Sequence, residues 1–241
     1  MKRPRAPLPI LAAFAWLGLS ALPAHGAGYV NLAWNDCGIY GSANRAFACN
    51  TNTGINQLFV SFEPPVTMYQ LDAMELVMAV STSNYTTLSP WWHMETAGCR
   101  AGSLTAGFDF VGGPFNCADV WAGQASGGSD YTASYYGVNR SRIRAVCAVP
   151  YGLQVDPGTE YYGMTIRFNN AKTVGTGSCP GCVEGACFSI ISAKLYQPAG
   201  VGDYLLSPGQ QTMATWNGGS PFDCVVPTRT KSWGQIKSLY R

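Results

Sequence analysis

The chain has 241 residues, 47% hydrophobic and 12% charged, with 15 basic against 13 acidic side chains. That size and apolar content suit one domain with a core of ordinary size. The near balance of charge, without any run or stripe of Lys and Arg, supplies no basic surface for nucleic acid or anionic lipid.

At the start, the basic stretch Met1-Lys2-Arg3-Pro4-Arg5 precedes an apolar run over 8–22 and the small residues Pro23-Ala24-His25-Gly26-Ala27. This order predicts a secretory signal peptide over residues 1–26. A membrane anchor would need about 20 apolar residues, and Pro7, Pro9 and Pro23 shorten the run. Its removal takes Lys2, Arg3 and Arg5 away, leaving 12 basic residues against all 13 acidic ones, a net charge of −1. The rest reads as one soluble β domain over 27–225, with no further membrane span, and a tail over 226–241.

Strands are predicted by alternation, which places successive side chains on opposite faces of a sheet. The first candidate covers 57–62. Over 74–80, Met74, Leu76, Met78 and Val80 share a face. Further strands are expected at 105–111, and at 142–147, where Arg142 and Arg144 oppose Ile143, Ala145 and Cys147. In the next, Tyr162, Met164, Ile166 and Phe168 face together while Thr165 and Arg167 form a wet side; the last two lie at 188–196 and 211–216. Turn clusters separate them, among them Glu63-Pro64-Pro65, Val111-Gly112-Gly113-Pro114 and Asp156-Pro157-Gly158. This pattern predicts an all-β fold, a two-sheet β-sandwich with the jelly roll as one form and a closed barrel as runner-up. A short C-terminal helix is expected where Ser232-Trp233-Gly234-Gln235 fits a capping box, with Ile236, Leu239 and Tyr240 on neighbouring positions of one face.

The nine cysteines at 37, 49, 99, 117, 147, 179, 182, 187 and 224 all follow the signal. In an oxidising compartment their default state is the disulfide. The dense segment Cys179-Pro180-Gly181-Cys182-Val183-Glu184-Gly185-Ala186-Cys187 also raises zinc. Closed coordination needs four thiolates or imidazoles, yet beyond the signal there is a single histidine, His93, and no second CxxC pair. A redox role for this CxxC lacks the accompanying βαβ pattern. Neither metal nor cofactor is expected. Proximity suggests Cys37 with Cys49 and Cys99 with Cys117; Cys147 with Cys224, and Cys187 with Cys179 or Cys182, are the further pairs expected, leaving one thiol unpaired.

No motif marks an active site. His93 would have to serve any nucleophilic arrangement, and Gly123-Gln124-Ala125-Ser126-Gly127 lacks the spacing of a nucleophile elbow. Glu63, Glu75, Glu95, Asp109, Asp119 and Glu160 are the carboxylates available for glycoside hydrolysis. There is no DxDxDG loop for calcium. The aromatic residues Trp91, Trp92, Trp121, Tyr135 and Tyr136 are the candidate binding set: exposed, they would form a platform for a glycan or a protein partner; buried, they are core.

Several stretches carry a resemblance together: Phe59-Val60-Ser61-Phe62-Glu63-Pro64-Pro65, Trp91-Trp92 with Gly98-Cys99-Arg100, Cys117-Ala118-Asp119-Val120-Trp121, the segment 179–187, and the ending Ser232-Trp233-Gly234-Gln235-Ile236-Lys237-Ser238-Leu239-Tyr240-Arg241. On these the chain resembles a group of uncharacterised secreted bacterial proteins that share the Trp-Gly-x-x-Lys-x-Leu-Tyr-Arg ending. The resemblance implies export from a bacterium and carries no catalytic residue. Two readings of the tail stand side by side: a sorting or attachment signal read by envelope machinery through Ser232, Trp233, Tyr240 and Arg241, or a last helix packed on the sandwich through Trp233, Ile236 and Tyr240. The functional expectation is an exported, non-catalytic binding or structural module at the bacterial cell surface or outside the cell. The alternative is a secreted hydrolase of polysaccharide or peptide with carboxylates in a cleft.

Overall fold

The computed structural model describes residues 28–220, Tyr136 excepted, and Cys224. The signal segment, the tail and Tyr136 lie outside the described residues. So do the sorting and helix expectations.

Twelve strands are described: β1 (Tyr29–Trp34), β2 (Asn44–Arg45), β3 (Ile55–Glu63), β4 (Met68–Thr82), β5 (Leu104–Gly107), β6 (Ser126–Ala133), β7 (Arg140–Val155), β8 (Tyr161–Asn169), β9 (Ala186–Tyr196), β10 (Tyr204–Leu205), β11 (Ser207–Pro208) and β12 (Met213–Trp216). They build two sheets, one in the order β11-β1-β3-β8-β5, the other in the order β2-β12-β9-β4-β7-β6 with β10 also beside β9. The fold is an all-β two-sheet sandwich. Short 3-10 turns interrupt it at Gly38–Tyr40 and Pro90–Trp92, and among the described residues no helix is long and apolar enough to cross a membrane.

The alternation explains how the sheets meet. Met74, Leu76, Met78 and Val80 of β4 pair with Cys147, Ala145, Ile143 and Ser141 of β7, and all eight are fully buried. On the opposite, wetter face Arg144 donates two hydrogen bonds to Glu75 across the β4–β7 pair, at 2.9 and 3.2 Å. From the other sheet Trp34 and Phe168 meet Phe188 of β9, each with ring centroids 5.4 Å apart. Aromatic pairs of this kind contribute about 0.5–1.5 kcal/mol beyond the area they bury.

Four expectations about strands need correction. The strand expected over 105–111 ends at Gly107, its last partner on β8 being Thr165; beyond it Phe110 lies flat on Tyr162 (centroids 4.8 Å apart, 14° between planes). Tyr162 does not share the face of Met164, Ile166 and Phe168. Val60 pairs with Met164 but Ser61 with Tyr162, so Gly163 is an extra residue and the alternation reverses across it. Nor is Thr165 on a wet face: it is buried and donates to the Gly107 carbonyl at 3.2 Å. The strand expected from 211 starts at Met213.

The disulfides join Cys37 to Cys117, Cys49 to Cys182, Cys99 to Cys179 and Cys187 to Cys224, leaving Cys147 as a free, buried thiol. Cross-linking holds, but none of the expected pairings does, and Cys147 is not a disulfide partner. Cys37 opens the turn beside the outer face of the first sheet, whereas Cys49 follows β2, which runs parallel to β12 at the edge of the second. Neighbours in sequence are thereby sent to opposite layers. Each link stabilises the fold by roughly 2–4 kcal/mol.

Candidate functional site

The segment 179–187 is a threefold anchor, each cysteine bonded to a different distant segment. Its Gly181 has φ +117°, and a Cβ there would lie 2.4 Å from the Ser89 Cβ. The loop therefore packs closely on the Pro90–Trp92 turn, where the Trp91 amide donates to the Pro180 carbonyl at 2.9 Å.

That turn settles the tryptophans. Trp91, Trp92 and Trp121 are fully buried, so the exposed platform is not formed from them. Trp91 stacks beneath the buried Arg100 guanidinium, 3.6 Å away; burial lowers this arginine to a pKa of about 10, and the carbonyls of Ala171, Trp91 and Asn169 accept its hydrogen bonds. Trp121 donates to the Gly163 carbonyl at 2.8 Å, at the β8 bulge. These side chains are large enough that a sandwich of this size covers them to build its core. Tyr135 alone of the described candidates reaches solvent, with Arg142 4.2 Å over its ring.

The nucleophilic readings fare no better. His93 has its Nδ1 2.7 Å from Glu95 Oε1 and its Nε2 3.1 Å from the Leu88 carbonyl. Both ring nitrogens are thus engaged within the fold, by a carboxylate and a backbone carbonyl, and not by a hydroxyl or thiol nucleophile. Burial pushes the Cys147 thiol up to about 12, far from the thiolate that reactive cysteines need.

Sequence reasoning missed a polar cavity of about 400 Å³ on the outer face of the first sheet. Tyr29 and Asn31 come from β1, Glu63 from the end of β3, Tyr40 from the Gly38–Tyr40 turn, and Glu160 and Asn116 from two loops. The Cys37–Cys117 link ties the turn to the 116–118 loop. Beneath them Glu160 Oε1 accepts from Ser61 Oγ at 2.6 Å and Asn31 Nδ2 at 2.8 Å. Gly38, at φ +44°, fits against this carboxylate: a Cβ would stand 2.6 Å from its oxygens.

A second network fixes the wall. The Tyr162 hydroxyl donates to Asp36 Oδ1 at 2.7 Å and accepts from the Asn116 and Cys117 amides at 3.2 and 3.3 Å. Asn116 Nδ2 donates to Asp36 Oδ2. Burial, then the bond to Asp36, pushes the Tyr162 phenol up to about 12; burial, then its bond to Glu63 and the nearby Glu160 charge, does the same for Tyr29.

The cavity thus offers two carboxylates, amide groups and a phenol, with Tyr40 and Ile39 exposed at its edge at 59% and 69%. Hydroxyl donors suit its carboxylate walls, and an apolar ring face suits Tyr40. An anionic ligand would meet two like charges. Among the described residues no group of three or more His, Cys, Asp or Glu is placed to hold a metal ion. The Pro157-Gly158 turn before Glu160 was visible in the sequence, but β1 was not predicted, nor was the pairing of Asn31 with Ser61 that assembles the site. The sequence matches no protein-family model and no curated protein.

Proposed function

We propose that the protein is exported and works at the cell surface or outside the cell as a non-catalytic binding module, taking a neutral glycan in the polar cavity. The observation that carries this reading is the rigid meeting of Glu63, Glu160, Asn31 and Tyr29 beside the exposed Tyr40 ring. The basic, apolar and small-residue order of 1–26 and the four disulfides support export into an oxidising compartment. The floor is already cross-bonded by Ser61 and Asn31, which suits a site that recognises shape and hydroxyls without rearranging. A neutral-glycan array probed with the chain lacking residues 1–26 tests it: binding that Tyr40→Ala weakens, with melting unchanged, is expected, and an array with no hit refutes it.

The presence of two carboxylates, Glu63 and Glu160, in one cavity favours a second reading, glycoside hydrolysis, which in most enzymes employs such a pair. Release of reducing ends from a bound glycan, abolished by Glu63→Gln, would establish hydrolysis and displace the binding module.

A further inference from the structure

A second cavity, apolar and about 340 Å³, opens between the two sheets at the β9 edge. Val30 of β1, Ile190 and Ile191 of β9, Leu205 and Leu206, and Met213 of β12 line it. It lies where β9 passes from pairing with β12, through Ser189, to pairing with β10, through Lys194. Leu205 is 54% exposed, and an apolar surface left open between two sheets gains by being covered.

We propose that this groove is the seat of the chain's own segment 232–241, with Trp233 and Ile236 as its apolar anchors. Three observations select this occupant. The first is the tether: Cys224 is bonded to Cys187, near the start of β9, and Ile190 and Ile191 lie three and four residues further along that strand, roughly 10–13 Å away at the strand rise. Residues 225–232 span up to roughly 26–29 Å when extended, ample for Trp233 to arrive. The second is the pattern: Trp233, Ile236, Leu239 and Tyr240 are the large apolar residues of the segment, at spacings that share a helical face, and so short an element needs a partner surface to persist. The third is charge. Residues 225–241 carry Arg229, Lys231, Lys237 and Arg241 and no acidic residue, whereas 28–224 hold 8 basic residues against 13 acidic ones, a net of −5. A basic segment tethered to an acidic body is drawn back onto it, and the tether raises its effective concentration there.

Trp233 supplies the test, because the other tryptophans of the chain lacking residues 1–26, namely Trp34, Trp91, Trp92, Trp121 and Trp216, are fully buried. Acrylamide quenching of that chain, with Trp233→Phe as background, reads the one remaining indole. The expected result is a blue-shifted, protected Trp233 at every protein concentration, released to quenching severalfold by Leu205→Glu, an exposed position whose change leaves the five core indoles protected. Three results overturn the proposal: a freely quenched Trp233 in the unmodified chain, as a tail presented to envelope machinery requires; protection that grows with concentration, which assigns the groove to a neighbouring copy; or protection that survives Leu205→Glu, which seats the tail elsewhere.

Discussion

The two cavities share one strand and oppose each other in chemistry. Tyr29 and Asn31 of β1 serve the polar cavity on the outer face, while Val30 between them lines the apolar groove between the sheets. Period-two alternation alone therefore separates a site suited to hydroxyls from one suited to hydrocarbon. They differ also in what holds them. The polar cavity is built from loops fixed by a disulfide and buried hydrogen bonds, the groove from strand backbone and aliphatic side chains. The polar site consequently has many points at which single changes break it, and the groove few.

Removing the Cys37–Cys117 link should separate the two cavities most severely. The double change Cys37→Ser, Cys117→Ser is expected to cost roughly 2–5 kcal/mol in thermal or denaturant unfolding, to abolish glycan binding, and to leave Trp233 protected in the groove. Tyr162→Phe should cost about 1–3 kcal/mol, since Asp36 and two loop amides lose their shared partner.

The same phenols predict an alkaline limit. With Tyr162 and Tyr29 raised from 10.0 to about 12 in the folded state, the unfolded chain releases their protons first. Stability is whole below pH 10 and falls between 10 and about 12. Urea unfolding across that window should show the fall, and Tyr162→Phe should lessen it.

Tyr40→Ala should affect the polar cavity alone, without touching the core: about a tenfold loss of glycan affinity, or ~1.4 kcal/mol, with melting and Trp233 unchanged. The smallest effect is expected remote from both cavities. Hydrogen bonds from Arg144, then Tyr196, hold the Glu75 carboxyl below its ordinary 4.5. A lowered folded value means stability that is present above 4.5 and lost as pH falls through the folded value. Glu75→Gln should flatten the acid limb of the unfolding profile slightly, because the pair is partly exposed.

Much of the sandwich was legible in the sequence because alternation is a local property. Met74 to Val80 and Ile143 to Cys147 face the core as their spacing predicts. The Tyr162 face was not legible, since one bulged residue, Gly163, reverses the alternation, and only the register with β3 reveals it. The Gly-rich β6 and the short edge strands carried too little pattern to stand out. That the cysteines cross-link could be read from their count and the expected compartment, whereas pairing depends on topology: Cys49 finds Cys182 across 133 residues of sequence. The polar cavity was hidden for the same reason. Asn31, Ser61 and Glu160 are scattered in sequence and meet only when β1 pairs with β3 in register. The aromatic set misled because ring size signals burial as readily as display, and the displayed Tyr40 sits in a loop without any aromatic neighbour in sequence.

Hydrogen exchange of the chain lacking residues 1–26, with and without a saturating neutral glycan from the array, tests the central claim most directly. The account predicts slowed exchange in 29–31, 36–40, 116–118 and 158–160, with 189–193 and 205–206 unaltered. Slowing confined to the β9 edge, or to the face bearing Tyr135, would contradict it.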